Sequence, residues 1–195
     1  MNETNKEVRA IDSPVEVRPE SRTIEGYAIL FNSPSNPLGY SGDWKEIIEP
    51  AALDGVIERS DVLCTVNHWE NNGVLARSKK GKGTLTLTID ERGLKYSFEA
   101  PNTTLGNDVL EMIKRGDLSS SSFCFSVDVE EWKREGENYT RYIKKVKELY
   151  DVSPVYRPAY EDTTVAVRSL DKIKKEGEDS EKELRIYFSQ LNKMY

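Results

Sequence analysis

Histidine occurs once in the 195 residues of this chain, at His68 in the stretch VNHW, among 28 Lys and Arg and 34 Asp and Glu side chains. A lone histidine is commonly a satisfied core or surface residue. Imidazole is also the side chain that gains and loses a proton near neutral pH, so one copy is enough for a general base. Such a base needs a nucleophile and an orienting carboxylate, both brought near by the fold. Cys64 lies four residues before His68; if one strand carries both, they stand about 13 Å apart, too far for a hydrogen bond, and Cys64 reads as core. Four serines, Ser119 to Ser122, offer hydroxyls. Ser119, Ser120 and Ser121 read as a polar loop. Ser122 differs because it opens a run in which Phe123, Phe125, Val127 and Val129 alternate with Ser122, Cys124, Ser126 and Asp128. That is a strand with one apolar and one polar face, which holds a serine more firmly than a loop does.

The strand continues through EEW, turns at REGEN and returns as YTRYIKKVKELYDVSPV. A turn centred between Gly136 and Glu137 puts Ser122 opposite Asp151, with Cβ atoms roughly 5 Å apart. A slip of two residues would change that partner. Glu148 is the rival acid: an unbroken hairpin aims it at the opposite face from Asp151, and a bulge between them would exchange the two. Cys124 shares the Ser122 face but sits about 7 Å further along, so one histidine can hardly serve both.

These residues need elements to hold them. Residues 1–22 are polar and read as an extended arm with a short strand around Lys6–Ile11. TIEGYAILFN is a strand with a bulge or a close contact at Gly26. A turn-rich loop leads to the strand KEIIEP, and PAALDGVIERS starts a short helix at Pro50. VLCTVNH reads as a strand closed by His68. TLTLTIDERGLKYSFEAP is a hairpin around DERG. TTLGNDVLEMIKRGD is a helix capped by Thr103 or Thr104 and ended by Gly116, with Leu105, Val109, Met112 and Ile113 on one face. RPAYEDTTVAVRS ends in a last short strand. About nine short strands and two helices predict a mainly β fold with flanking helices (α+β), a closed or nearly closed barrel with the helices outside. Residues 1–168 form this domain. Residues 169–195 are a charged linker, DKIKKEGED, and an amphipathic helix with Ser180 and Glu183 at capping-box spacing and Leu184, Tyr187, Phe188, Leu191 and Tyr195 on one face. That face suits either its own barrel or another protein.

Composition narrows the function. Hydrophobic residues make up 37% and charged residues 32%, enough for one core under a well-solvated surface. No run of 18 apolar residues exists to span a membrane, and the N-terminus lacks the apolar segment of a secretory signal. The net charge of −6, without a basic stripe, argues against a nucleic-acid partner. One histidine and two distant cysteines leave no zinc site, no disulfide framework and no cofactor motif, and they suit a reducing cytoplasm.

Taken in order, IEGYAILFN, KEIIEPAAL, VNHW, TLTLTIDERGL, PNTTLGNDVLEMIKRGDLSSSSFCF and ELYDVSPVYRPAYEDTTVAVR resemble the prohead maturation proteases of tailed phages, which are similar to the herpesvirus assemblins. The likeness covers about residues 20–168 and implies a herpesvirus-protease-like β-barrel and a serine endopeptidase. It matches His68 to the family's histidine, Ser122 to the nucleophile of its S-F-x-F motif, and Asp151 to its acid. Two positions depart: Cys124 stands where glycine is common, and Asp151 where glutamate is. Arg157, in SPVYRP, is a candidate for ordering that loop or supporting the oxyanion. The resemblance further implies packaging inside the procapsid within the host cytoplasm. The substrates would be the scaffold or the scaffolding segment of the major capsid protein, and the enzyme itself. It also implies a homodimer, as in assemblins. Confinement raises local concentration towards about the mM range, so a slow catalyst suffices. The rival is a non-catalytic capsid or scaffold component with the same fold, supported by the departure at Cys124.

Overall fold

The structure is a computed structural model and describes residues 5–11, 13–39, 42–156 and 164–191. Its strands are β1 (Glu7–Ile11), β2 (Val15–Val17), β3 (Thr23–Leu30), β4 (Trp44–Ile48), β5 (Asp61–Cys64), β6 (Ala76–Lys79), β7 (Lys82–Gly83), β8 (Leu85–Ile89), β9 (Gly93–Glu99), β10 (Ser120–Glu135) and β11 (Asn138–Val155). The helices are α1 (Val56–Arg59), α2 (Thr104–Arg115) and α3 (Thr164–Leu191). The fold is thus mainly β with helices, and none of the described helices is long and apolar enough to cross a membrane.

The strands do not close into a ring. One sheet runs β1-β10-β11-β5-β6-β7, with β4 also on β11; the other runs β2-β3-β9-β8. The expected closed barrel is therefore replaced by two hydrogen-bonded sheets. The arm changes sheet between β1 and β2, where Val15 N–H reaches Ser119 O at 3.3 Å. β11 is long enough for β4 and β5 to lie parallel along it at different heights, at Tyr139–Ile143 and at Asp151.

Alternation decides what faces inward. Phe123 and Phe125 of β10 and Leu149 and Val152 of β11 enter one core with Ile24, Ile29, Tyr96 and Phe98 of the second sheet and Val109 and Ile113 of α2. The two Phe rings lie 5.0 Å apart and tilted, a favoured arrangement for aromatic quadrupoles. Gly26 sits where the sheets approach: a Cβ there would come within 3.1 Å of Ser121 Oγ and of the Tyr96 hydroxyl. At α2, Thr103 caps the first turn by accepting from Gly106 N–H at 3.2 Å. Gly116 ends the helix at φ +80°, a left-handed conformation that glycine adopts without steric cost.

Three further expectations need correction. β5 stops at Cys64, so His68 follows the strand and does not close it. The β10–β11 register changes at four places. β11 carries an extra residue at Lys144, Lys147 and Tyr150, and β10 one at Asp128, so the pairing slips by two near the base of the hairpin. Thr164–Arg168, read as a strand, is helical, and the supposed linker continues the same helix to Leu191. β-branched residues weigh against helix by only about 0.5 kcal/mol each, and the Lys-, Glu- and Leu-rich run that follows propagates the turn. The chain divides into two compact units, Met1–Glu161 and Asp162–Tyr195. The proposed amphipathic face from Leu184 to Tyr195 lies outside the described side chains.

A buried charge cluster fastens the edge strand. Glu7, Arg9, Glu46 and Arg141 are each at most 4% exposed. Arg141 Nη1 meets Glu7 at 2.6 Å and Glu46 at 2.8 Å, its other nitrogens meet Glu130, and Arg9 bridges Glu7 and Glu46 at 2.8 and 3.1 Å. Burial works against the Arg141 charge, but hydrogen bonding to Glu7 and the charges of Glu46, Glu7 and Glu130 outweigh it and raise its pKa. The cluster joins β1, β4, β10 and β11. Removing its centre would leave buried carboxylates uncompensated. Arg141→Ala is therefore expected to lower the unfolding free energy in urea by about 3–5 kcal/mol. A loss below about 1 kcal/mol would mean that water or other cations replace the guanidinium.

Candidate active site

β10 and β11 bring two of the three candidate residues onto one polar face. Ser122 lies directly opposite Ser153, and Asp151 opposite Cys124. The pair expected from a regular hairpin, Ser122 with Asp151, is two residues out. The slip is an even number of residues, so Asp151 keeps the Ser122 face. Glu148 does not stay on the far side: the extra residue at Tyr150 puts it opposite Ser126, on the Ser122 face but further from Ser122.

His68 reaches this face from a tight turn. Beyond β5 the chain passes through Asn67 at φ +55° and His68 at φ +59°. Two consecutive left-handed residues are uncommon outside glycine, though asparagine tolerates the conformation well. The turn is held from both sides: Asn67 N–H donates to Pro154 O at 3.1 Å, Tyr156 N–H to Asn67 Oδ1 at 3.2 Å, and Trp69 N–H to Val66 O at 3.1 Å. Two of these bonds tie the turn to the end of β11, the strand that carries Asp151. Trp69 itself is exposed beside the histidine.

The imidazole bridges the two strands. His68 Nδ1 lies 2.6 Å from Asp151 Oδ1, and His68 Nε2 lies 2.6 Å from Ser122 Oγ. A carboxylate oxygen only accepts, so Nδ1 carries the proton in the neutral ring and Nε2 is left as the acceptor. Ser122 Oγ has a second neighbour, the Arg9 carbonyl oxygen on β1 at 2.9 Å. One hydroxyl proton can satisfy only one of these acceptors at a time, so the serine stands between a resting bond to β1 and a bond to the imidazole.

Three residues that the sequence did not single out complete the surroundings. Ser153 Oγ–H donates to Asp151 Oδ1, and Thr65 Oγ1–H to Asp151 Oδ2 at 3.3 Å. Arg9 contributes its main-chain carbonyl. A polar Ser153 two residues after Asp151 on the same face was the available signal, but it carries weight only once the partner strands are known.

Of the two cysteines, Cys124 shares the Ser122 face, directly opposite Asp151, and Cys64 lies in the core. Cys64 is fully buried in the core, and burial, then the Asp151 charge, hold its thiol well above the ordinary range. Cys124 is 9% exposed, and burial is the main cause pushing its thiol up to about 11. Among the described residues no cluster of His, Cys, Asp and Glu could hold a metal ion. Arg157 lies outside the described residues.

A hydroxyl, an imidazole and a carboxylate in series can move a proton off the hydroxyl and hold the resulting cation, the arrangement that nucleophilic acyl transfer requires. The structure is similar to that of the bacteriophage T4 capsid assembly protease gp21, with a TM-score of 0.50 and 10% identity over 78% of this chain and 98% of that one. At that identity the likeness concerns the fold. No curated protein sequence matches the chain significantly. A family model described as caudovirus prohead serine protease matches residues 7–176, so the chain belongs to that family.

Proposed function

We propose that the chain is a serine endopeptidase of procapsid maturation, with Ser122 as nucleophile, His68 as general base and acid, and Asp151 as the orienting carboxylate. The observation that carries this reading is the pair of 2.6 Å contacts made by one imidazole to Ser122 and Asp151. In the reaction Ser122 Oγ attacks the scissile carbonyl while Nε2 takes its proton. The tetrahedral intermediate collapses, and His68 returns that proton to the leaving amine. Water then repeats the sequence on the acyl-enzyme and frees Ser122. Asp151 holds Nδ1–H throughout and stabilises the imidazolium. The family and the gp21 likeness favour capsid protein and scaffold of the same phage as substrates, met inside the assembling procapsid. Cys124, where the family commonly has glycine, leaves both histidine contacts short, so nothing in the site's geometry favours a non-catalytic module.

Co-expression with the capsid protein of the same phage, read by intact-protein mass, tests the assignment. Ser122→Ala and His68→Ala should fold normally and each lose at least about 10⁴-fold in cleavage rate. Asp151→Asn should lose on the order of 10⁴-fold, and Glu148→Gln should stay within a few-fold. Ser121→Ala removes a hydroxyl that meets the Tyr96 hydroxyl at 3.0 Å in the core. It should cost roughly 1–3 kcal/mol of stability but little activity. Cleavage that survives Ser122→Ala and is lost in Ser121→Ala would assign the wrong serine.

A reading with Cys124 as the nucleophile has its own test. With its pKa near 11, Cys124 stays a protonated thiol at neutral pH and becomes thiolate only as pH rises towards that value. Only about one molecule in a thousand is thiolate at about pH 8. Iodoacetamide at that pH should therefore label Cys124 far more slowly than a free cysteine, and Cys124→Ala should still cleave. Loss of cleavage in Cys124→Ala with an intact fold would make the thiol a participant.

A further inference from the structure

A carboxylate that orients a histidine must itself be oriented, and one hydrogen bond does not do this. The terminal torsion of aspartate is broad, so a carboxylate bound only through its histidine can rock about that contact. Asp151 is 7% exposed. Its two oxygens offer about four lone-pair sites, of which His68 uses one.

Two further donors come from two different segments. Ser153, on β11, donates to Asp151 Oδ1, and Thr65, one residue past β5, donates to Oδ2 at 3.3 Å. The donors are themselves linked. Thr65 N–H donates to Ser153 Oγ at 3.0 Å, and the two hydroxyl oxygens lie 3.1 Å apart. Because Ser153 Oγ already accepts an N–H, its one proton is free to point at the carboxylate. Both residues are wholly buried, where an unsatisfied hydroxyl is costly and a valine or alanine would pack without that risk. Thr65 also opens the turn that ends in His68, and Ser153 faces Ser122 across the β10–β11 pair. The hydroxyl pair therefore lies at the junction of the segments that carry base, acid and nucleophile.

We propose, building on the triad reading above, that Thr65 and Ser153 are positioning residues that fix the Asp151 carboxylate, and through it the ring of His68, in the geometry for proton transfer. Their effect runs through Asp151 alone. It falls on the chemical step and leaves binding unchanged.

A fluorophosphonate that labels active serines is the probe, applied to the full chain and followed by mass at the Ser122 peptide, with folding checked by circular dichroism. Ser153→Ala and Thr65→Val should each lower the maximal labelling rate about tenfold while the half-saturating concentration holds. Thr65→Ser, which keeps the hydroxyl, should recover most of the rate lost in Thr65→Val. In an Asp151→Ala background, adding Ser153→Ala should change the rate less than about twofold, because no carboxylate remains to be held. The same tenfold loss in that background would show that Ser153 acts on the fold generally, and the proposal would be wrong. It would also be wrong if folded Thr65→Val labelled at the wild-type rate. Wild-type protein that never labels at Ser122 would instead overturn the triad reading and this proposal with it, so the two failures are distinct.

Discussion

Everything in the first compact unit depends on how β10 pairs with β11. That pairing sets two surfaces at once. One face sends Phe123, Phe125, Leu149 and Val152 into the core, and the other collects Ser122, Cys124, Asp151 and Ser153. A shift of β11 by one residue at this end would turn Leu149 and Val152 out of the core, which their burial opposes. A shift by two is tolerated, and the bulges produce it. The hydrophobic core thus guarantees that an acid at position 151 shares a face with Ser122. The bulges decide which residue stands opposite which. Bulges also increase local twist and re-aim side chains, and the one at Tyr150 puts Glu148 and Asp151 on the same face despite their odd separation.

The second constraint is electrostatic. β1 is an edge strand, and edges are held only on one side. Here the hold is reinforced by Arg141 and Arg9 against Glu7, Glu46 and Glu130. Burying so many charges is favourable only when each finds partners, so the cluster ties together the four strands that contribute to it. The same strand presents the Arg9 carbonyl to Ser122. The edge strand is therefore part of the surroundings of Ser122 as well as part of the sheet.

The similarity to gp21 at 10% identity illustrates how little sequence a fold retains while its chain path persists. The chemistry of this chain has to be argued from its own side chains. The left-handed turn at Asn67 and His68 is informative in this respect. Backbone in sparsely populated regions persists only where its surroundings over-determine it. Here the Asn67 N–H bond to Pro154 O and the Tyr156 N–H bond to Asn67 Oδ1 do so, and the turn's product is an imidazole within reach of two strands.

Local pattern alone made much of this legible. Period-two alternation identified the faces of β10, the capping threonine and terminal glycine bounded α2, and a single histidine named the only imidazole available. These signals are local because they arise from side-chain direction, cap geometry and residue type. Tertiary structure decided the rest. The position of His68 after β5, not in it, depends on bonds to residues nearly ninety positions away in sequence. Whether the strands close into a ring or split into two sheets depends on which edges meet, and alternation is the same in both cases. The bulges lie in a hairpin that also pairs with β1, β4 and β5, partners that alternation does not reveal. Thr65 and Ser153 read as ordinary small polar residues until the fold sets both beside one carboxylate. Glu7, Arg9, Glu46 and Arg141 carry no local sign of burial, because burial becomes favourable only when β1, β4 and β11 bring opposite signs together.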